Sequence, residues 1–231
     1  MTAARALQAI ILDFDGVIAD SEPLHLRAFQ ATLADHGLAL SADQYYSRYL
    51  GYDDLGMLEA LARDRSLAWS APELKALVAE KGVHLQAMLQ NSSVLFPGAA
   101  EFIRSSAAEV PIGIASGAMK HEILQVIQAA GLAPCIALVV AAGDTPESKP
   151  SPAPYRLALE GLRERTGLDL DARRSVAVED SRWGLASASG AGLRCVGVTS
   201  SYPAEELPGA ELVVGGLADL TLDMLHQLCS S

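Results

Sequence analysis

The stretch Ala9-Ile10-Ile11-Leu12-Asp13-Phe14-Asp15-Gly16-Val17 decides how the rest of the chain is read. Four apolar residues are enough for a short buried strand, and Asp-x-Asp-Gly stops that strand at a turn. Two carboxylates leaving an apolar strand are costly to bury unless a metal ion or hydrogen bonds satisfy them. One of them can attack a phosphoryl group and the other can pass protons. Taken alone, the same residues read equally well as an acidic turn with a glycine.

Beyond this strand the rhythm changes twice. From Asp20 to Leu89 apolar residues recur at helical spacing, as in Leu24, Ala28, Phe29, Leu33 and Leu38, with almost no strand signal. Asp20 or Ser21 is a candidate N-cap ahead of Pro23, and Ser70 or Ala71 ahead of Pro72 opens a later helix in the same way. After Phe96-Pro97-Gly98, short β-rich runs alternate with amphipathic helices. The strands are expected at 111–115, 136–141, 175–178, 194–198 and 211–214, with a closing helix near 217–228. Such alternation means βαβ units and a parallel sheet covered by helices. The first strand has nothing else to pair with and must join that sheet. The fold class is therefore α/β, a Rossmann-like parallel-sheet core with an inserted α-helical cap. The expected boundaries are 1–18 and 95–231 for the core and 19–94 for the cap, placed above the carboxyl ends of the strands, where open α/β sheets bind ligands.

Three further clusters fall just after predicted strands. Ile114-Ala115-Ser116-Gly117-Ala118 brings a hydroxyl and free N–H groups to a helix start, which suits a phosphate, although Ser116 alone reads as a plain N-cap. Ser148-Lys149-Pro150-Ser151-Pro152 holds a lysine in a loop stiffened by prolines. Lys149 could neutralise an incoming phosphate, or it could be an ordinary solvated lysine. Val176-Ala177-Val178-Glu179-Asp180-Ser181 puts two acids at the end of an apolar strand, suiting a hard cation, or else Asp180 or Ser181 caps a helix.

The bulk properties bound the function. The chain has 231 residues, half of them hydrophobic, enough for one large domain or a core plus an insert. A net charge of −11 argues against a nucleic-acid partner, which needs a basic face. No run approaches the roughly 18 apolar residues of a membrane span. No signal peptide is read at the N-terminus, and Cys135, Cys195 and Cys229 have neither disulfide-framework nor metal-ligand spacing. A cytoplasmic location, no membrane partner and a monomer are the expectations.

In the order Asp, Ser, Lys, Asp, each at a strand end, the four clusters resemble the haloacid dehalogenase-like superfamily over nearly the whole chain. The resemblance is strongest to its β-phosphoglucomutase and sugar-phosphate phosphatase branch, where an Asp-Ser-Glu-Pro-x-His stretch, here Asp20 to His25, follows the first motif. It implies that Asp13 is the nucleophile, Asp15 the general acid and base, and Ser116 and Lys149 the holders of the phosphoryl oxygens with the N–H groups of Gly117 and Ala118. It also implies Mg²⁺ bound by Asp13, the carbonyl of Asp15, and Asp180, with Glu179 orienting the water shell or ligating directly. Asp15 favours phosphoryl chemistry, since the dehalogenase members lack it.

The cap is expected to choose the substrate. His25, Gly51 and Lys81 are its candidate substrate-binding residues, with a packed or surface histidine and a solvated lysine as the plain alternatives. Cap movement would use the linkers 17–20 and 94–98. β-Phosphoglucomutases carry an arginine shortly after the glycine that Gly51 matches, and this chain reads Gly51-Tyr52-Asp53-Asp54 instead. That departure favours a phosphatase acting on a small phosphorylated metabolite over a phosphosugar mutase. The acidic pair disfavours bisphosphates or simply caps a helix. A non-catalytic phospho-ligand-binding regulator is the alternative of another class.

Overall fold

A computed structural model describes residues 6–50, 52–90 and 94–230. In chain order its main elements are β1 (Ala9–Leu12), α1 (Glu22–Asp35), α2 (Ala42–Gln44) running into a π-helical turn (Tyr45–Tyr49), α3 (Asp54–Arg65), α4 (Ala71–Gln90), α5 (Ala99–Ala107), β2 (Ile112–Ala115), α6 (Lys120–Ala129), β3 (Leu138–Val140), α7 (Ala153–Thr166), β4 (Ser175–Glu179), α8 (Arg182–Gly190), β5 (Arg194–Val198), β6 (Leu212–Val214) and α9 (Leu222–Leu228). The chain divides into two compact units, one of Met1–Asp20 with Ser93–Ser231, the other of Ser21–Ser92. No helix among the described residues is long and apolar enough to cross a membrane.

The first unit is a six-stranded sheet in the order β3-β2-β1-β4-β5-β6, with every neighbouring pair parallel. β1 and β4 lie at its centre and are buried along their whole length. Both faces of a parallel sheet are covered, which is why these strands read as unbroken apolar runs rather than alternating ones. On one face Ile11, Ala115, Val140 and Ala177 pack with Tyr155, Leu159 and Leu162 of α7 and with Leu185 and Ala188 of α8. Register then fixes where the functional side chains fall. Leu12 pairs with Ile114 on one side and Val178 on the other, so Asp13, Ser116 and Glu179-Asp180 emerge at one edge of the sheet. The chain leaves this unit beside the point where it returns, with Ala19 bridging Leu95.

Some elements differ from the sequence reading. The closing helix starts at Leu222 rather than near 217, because Leu217–Asp219 form a separate 3₁₀ turn before it. α5 was not expected: Phe102 and Ile103 give it one apolar side, but it is short and carries two serines, one of them, Ser106, buried. β3 is shorter than the run 136–141 suggests, because Ala133–Cys135 form a 3₁₀ turn just before it.

The second unit is helical, with its own core of Phe29, Leu33, Tyr45, Met57, Leu58, Leu61 and Leu77, among others. Ser21 precedes α1 with a proline in the first turn, and the Ser70 backbone N–H donates to Glu73 to open α4. Lys81 is fully buried, so the solvated-lysine reading is overturned. Its ammonium lies 2.8 and 2.9 Å from the two carboxylate oxygens of Asp54, 2.8 Å from His25 Nδ1 and 5.0 Å from the Phe29 ring centroid. One lysine thus ties α1, α3 and α4 together. The acidic pair divides in role: Asp53 caps α3 through Gly56 N–H, and Asp54 neutralises Lys81. Gly51 lies outside the described residues.

Burial, then the Lys81 charge, lowers the His25 pKa to about 4 against the opposing pull of Asp54. His25 is therefore neutral in the fold and accepts from Lys81 at Nδ1, which puts its proton on Nε2. A histidine whose folded pKa lies below its ordinary value of about 6.5 contributes fully above that pH, and the contribution is lost as pH falls toward the folded pKa. Between pH 7.5 and 5 the wild type should lose about 1–2 kcal/mol more stability than His25→Gln, measured by urea denaturation. Parallel losses in the two proteins would exclude His25 from the pH dependence.

Candidate active site

Each acidic residue at the sheet edge is placed by the strand it follows. Asp13 continues β1, and its N–H still bonds the Val178 carbonyl of β4, so the carboxylates of the two central strands are forced together. Ligand oxygens of Asp13, Glu179 and Asp180 all lie within 4.8 Å of one another, and all three residues are buried. The turn that follows Asp13 requires glycine at position 16. Its φ is +78°, and a Cβ there would stand 1.9 Å from Asp180 Oδ2. Gly184 is needed for a different reason, since a Cβ on it would run into the Glu179 carboxylate at 1.9 Å.

Lys149, on the loop between β3 and α7, reaches into this cluster. Its ammonium is 2.9 Å from Asp13 Oδ1 and 2.5 Å from Glu179 Oε1. Burial alone would lower the lysine's pKa, but Asp13 and Glu179 outweigh it and the net direction is upward. Glu179 is engaged at both oxygens. Oε1 accepts from Lys149 and from the Tyr155 hydroxyl at 2.8 Å; Oε2 accepts from the Asp180 N–H at 3.2 Å and the Ser181 hydroxyl at 3.3 Å. Burial pushes its pKa up against the pull of Lys149. The pKa of Asp180 is raised to about 6, by burial first and the Asp13 charge second, although the Ser201 hydroxyl donates to its Oδ2 at 2.5 Å.

The other expected residues are placed as follows. Ser116 is buried just past β2, where its N–H bonds Val140 and its hydroxyl accepts from the Ala118 N–H. It is not a helix cap, since α6 begins at Lys120 behind Met119. Gly117 is exposed, with open space where a side chain would be. Asp15 is half-buried in the turn that bridges to Ala19. Ser181, not Asp180, caps α8, through Gly184 N–H. His25 and Lys81 belong to the helical unit described above.

Sequence reasoning missed Tyr155 and Ser201. Tyr155 carries a weak signal, standing in the first turns of the helix after Lys149. Ser201 carries none, because only the parallel pairing of β4 with β5 brings the loop after β5 beside Asp180.

Three buried carboxylates face one partly buried ammonium, so negative charge is in excess. The donors are all oxygen, the set a hard divalent cation prefers. The residues present fit such an ion, with Asp13 and Asp180 the more available because Glu179 is already fully hydrogen-bonded.

Comparison with known proteins identifies the family. The model for haloacid dehalogenase-like hydrolases matches residues 10–198. The chain belongs to the haloacid dehalogenase-like hydrolase family. It is 34% identical over 229 residues to Protein CbbY of Cereibacter sphaeroides, covering 93% of this chain and 94% of that one. It is 29% identical over 208 residues to a phosphoglycolate phosphatase of Yersinia pseudotuberculosis, covering 87% and 85%. Among solved structures, a CbbY variant from Rhodobacter sphaeroides in complex with xylulose-1,5-bisphosphate superposes with a TM-score of 0.79 at 27% identity, covering 93% of this chain and 96% of that one.

A carboxylate whose folded pKa is raised contributes stability only at low pH and loses it as pH rises through the folded value. Ionised Asp180 therefore destabilises the metal-free protein at neutral pH. Asp180→Asn should raise the metal-free thermal midpoint at pH 7.5 by about 5 °C, while reducing the further rise that Mg²⁺ gives the wild type. Calorimetric scans with and without Mg²⁺ check both effects; a lowered metal-free midpoint would contradict the repulsion argument.

Proposed function

We propose that this hydrolase is a Mg²⁺-dependent phosphatase acting on a small phosphorylated metabolite, a sugar phosphate, through an aspartyl-phosphate on Asp13. The observation that carries the reading is the contact of the Lys149 ammonium with Asp13 Oδ1 within a buried cluster of three acids. A carboxylate and a phosphate repel each other, and attack needs fixed positive charge around the phosphoryl group. The names of its relatives, phosphoglycolate phosphatase and a CbbY solved with a sugar bisphosphate, support this substrate class.

In the proposed reaction an Asp13 carboxylate oxygen forms a bond to phosphorus while the bond from phosphorus to the substrate oxygen breaks. Asp15 gives its proton to that oxygen, and the dephosphorylated product leaves. Water then attacks the phosphorus, Asp15 takes its proton, and the Asp13–phosphate bond breaks to release inorganic phosphate. Dividing one difficult displacement into two is ordinary covalent catalysis, with Asp15 in a general acid–base role. Ser116 and Lys149 hold the phosphoryl oxygens, with the N–H of Gly117 nearby in sequence. The N–H of Ala118, which donates to Ser116, shapes the loop instead. Mg²⁺, held by Asp13, Asp180 and the Asp15 carbonyl, would supply the charge that lets carboxylate and phosphate approach. Glu179 anchors Lys149 rather than ligating, since four donors already occupy its oxygens.

Hydrolysis is favoured over mutase chemistry by the second unit. There Asp53 is a helix cap and Asp54 is paired with Lys81, so this stretch offers no cation for a second phosphate.

Phosphate release from a panel of sugar phosphates, phosphoglycolate and sugar bisphosphates should require Mg²⁺ and stop with chelator. Asp13→Asn should reduce it by at least about 10³-fold, the scale of losing a nucleophile. Isomerisation of a hexose 1-phosphate without phosphate release would move the assignment to the mutase.

A further inference from the structure

The buried hydroxyl of Tyr155 has no part in the reaction as written, yet it lies against the group that positions the reaction's lysine. Tyr155 stands in the first turns of α7 and is fully buried. Its hydroxyl donates to Glu179 Oε1 at 2.8 Å, the same oxygen that accepts from Lys149 at 2.5 Å. Its ring carries the Lys149 ammonium 5.1 Å from the centroid, within cation–π range. One side chain therefore touches both members of the ion pair, each by a different kind of contact.

An ammonium has three N–H bonds. Asp13 and Glu179 account for two, leaving one for a phosphoryl oxygen. Where that third bond points depends on where Glu179 Oε1 sits and on which side of the ammonium the ring blocks. The Asp180 N–H and the Ser181 hydroxyl hold only the other oxygen of Glu179. Without the tyrosine hydroxyl, nothing but the lysine itself would hold Oε1, and the pair could move as one.

We propose that Tyr155 is a positioning residue of this site, its hydroxyl fixing Glu179 and its ring fixing Lys149, so that the ammonium stays aimed at the phosphoryl group bound beside Asp13. This role rests on the phosphatase reading. Burial first, and the Glu179 charge second, hold the phenol above its ordinary pKa, so Tyr155 serves as a neutral donor throughout the working range.

Two variants separate the two contacts. Tyr155→Phe keeps the ring and removes the hydroxyl; Tyr155→Leu removes both. The expected result is a fall in kcat of about tenfold for Tyr155→Phe and about a hundredfold for Tyr155→Leu, with KM changed less than about threefold in the former, because a misaimed lysine weakens stabilisation of the transition state more than ground-state binding. Mg²⁺ affinity of Tyr155→Phe, measured directly by calorimetry, should stay within about threefold of wild type, since Asp13 and Asp180 are untouched. A second readout needs no turnover. In lysine-labelled protein without substrate, the Lys149 side-chain NMR signals, assigned with Lys149→Arg, should carry a ring-current shift that Tyr155→Leu abolishes and Tyr155→Phe alters. If the wild type releases no phosphate from any substrate, the phosphatase reading fails, and the NMR signals alone judge the positioning. Unchanged Lys149 signals in both variants overturn the proposal. Wild-type kcat in Tyr155→Phe overturns it too, whatever the change in thermal midpoint, because a purely structural tyrosine would alter stability and leave the folded enzyme's turnover alone.

Discussion

The contact of the Lys149 ammonium with Asp13 and Glu179 is the interaction on which the first unit depends. Parallel pairing of β1 with β4 forces acids at the ends of both strands to within 4.8 Å. At an effective dielectric near 20, two like charges at that spacing repel by about 3–4 kcal/mol. A sheet edge built this way is tolerable only with a cation among the carboxylates. The protein supplies one from a loop that begins at an edge strand, and proline on the far side of Lys149 stiffens that loop. Much nearby structure follows from the crowding: glycine at 16 because Asp180 occupies the space, glycine at 184 because Glu179 does, and a serine from the loop after β5 donating to Asp180.

The parts of this arrangement that a sequence can carry are the ones set by short-range pattern. β1 and β5 stand where the apolar runs place them, because a buried central strand is an uninterrupted apolar run. Asp13, Ser116 and Glu179-Asp180 are legible as acids and a hydroxyl that terminate such runs, and Lys149 as a cation in the proline-rich loop after β3. What pattern does not carry is which donor meets which acceptor. Ser116 looks like a cap until α6 is seen to start four residues later. Ser201 and Tyr155 reach the acids only through tertiary packing, and an aromatic residue at an apolar helix position reads as core, which Tyr155 also is.

The second unit makes the same point with opposite sign. Lys81 on a mostly amphipathic helix reads as a solvated lysine, since an unpaired ammonium is almost never buried. It is buried because α1 brings a neutral imidazole and α3 a carboxylate to the same spot. Neither partner is near it in sequence. The departure Tyr52-Asp53-Asp54, which looked like a single acidic feature, is thereby two unrelated ones: a backbone cap and a counter-ion.

Adjacent residues of β4's end illustrate how neighbours of like charge acquire different work. Glu179 and Asp180 are both buried carboxylates, so composition cannot rank them as cation ligands. Hydrogen bonding can. Glu179 receives four protein donors, two on each oxygen, and its negative charge is answered by Lys149. Asp180 lacks a lysine contact of its own, and its own burial first, then the charge of neighbouring Asp13, raise its pKa. A divalent ion added to this cluster gains most from the carboxylates the protein has satisfied least, and these are Asp13 and Asp180. Lys149 meanwhile contacts Asp13 as well as Glu179, so one ammonium answers part of the charge on both strands' ends. Two consecutive acids of like charge are in this way set apart by what the protein gives each of them: four donors, one of them Lys149, on Glu179, and the Ser201 hydroxyl on Asp180.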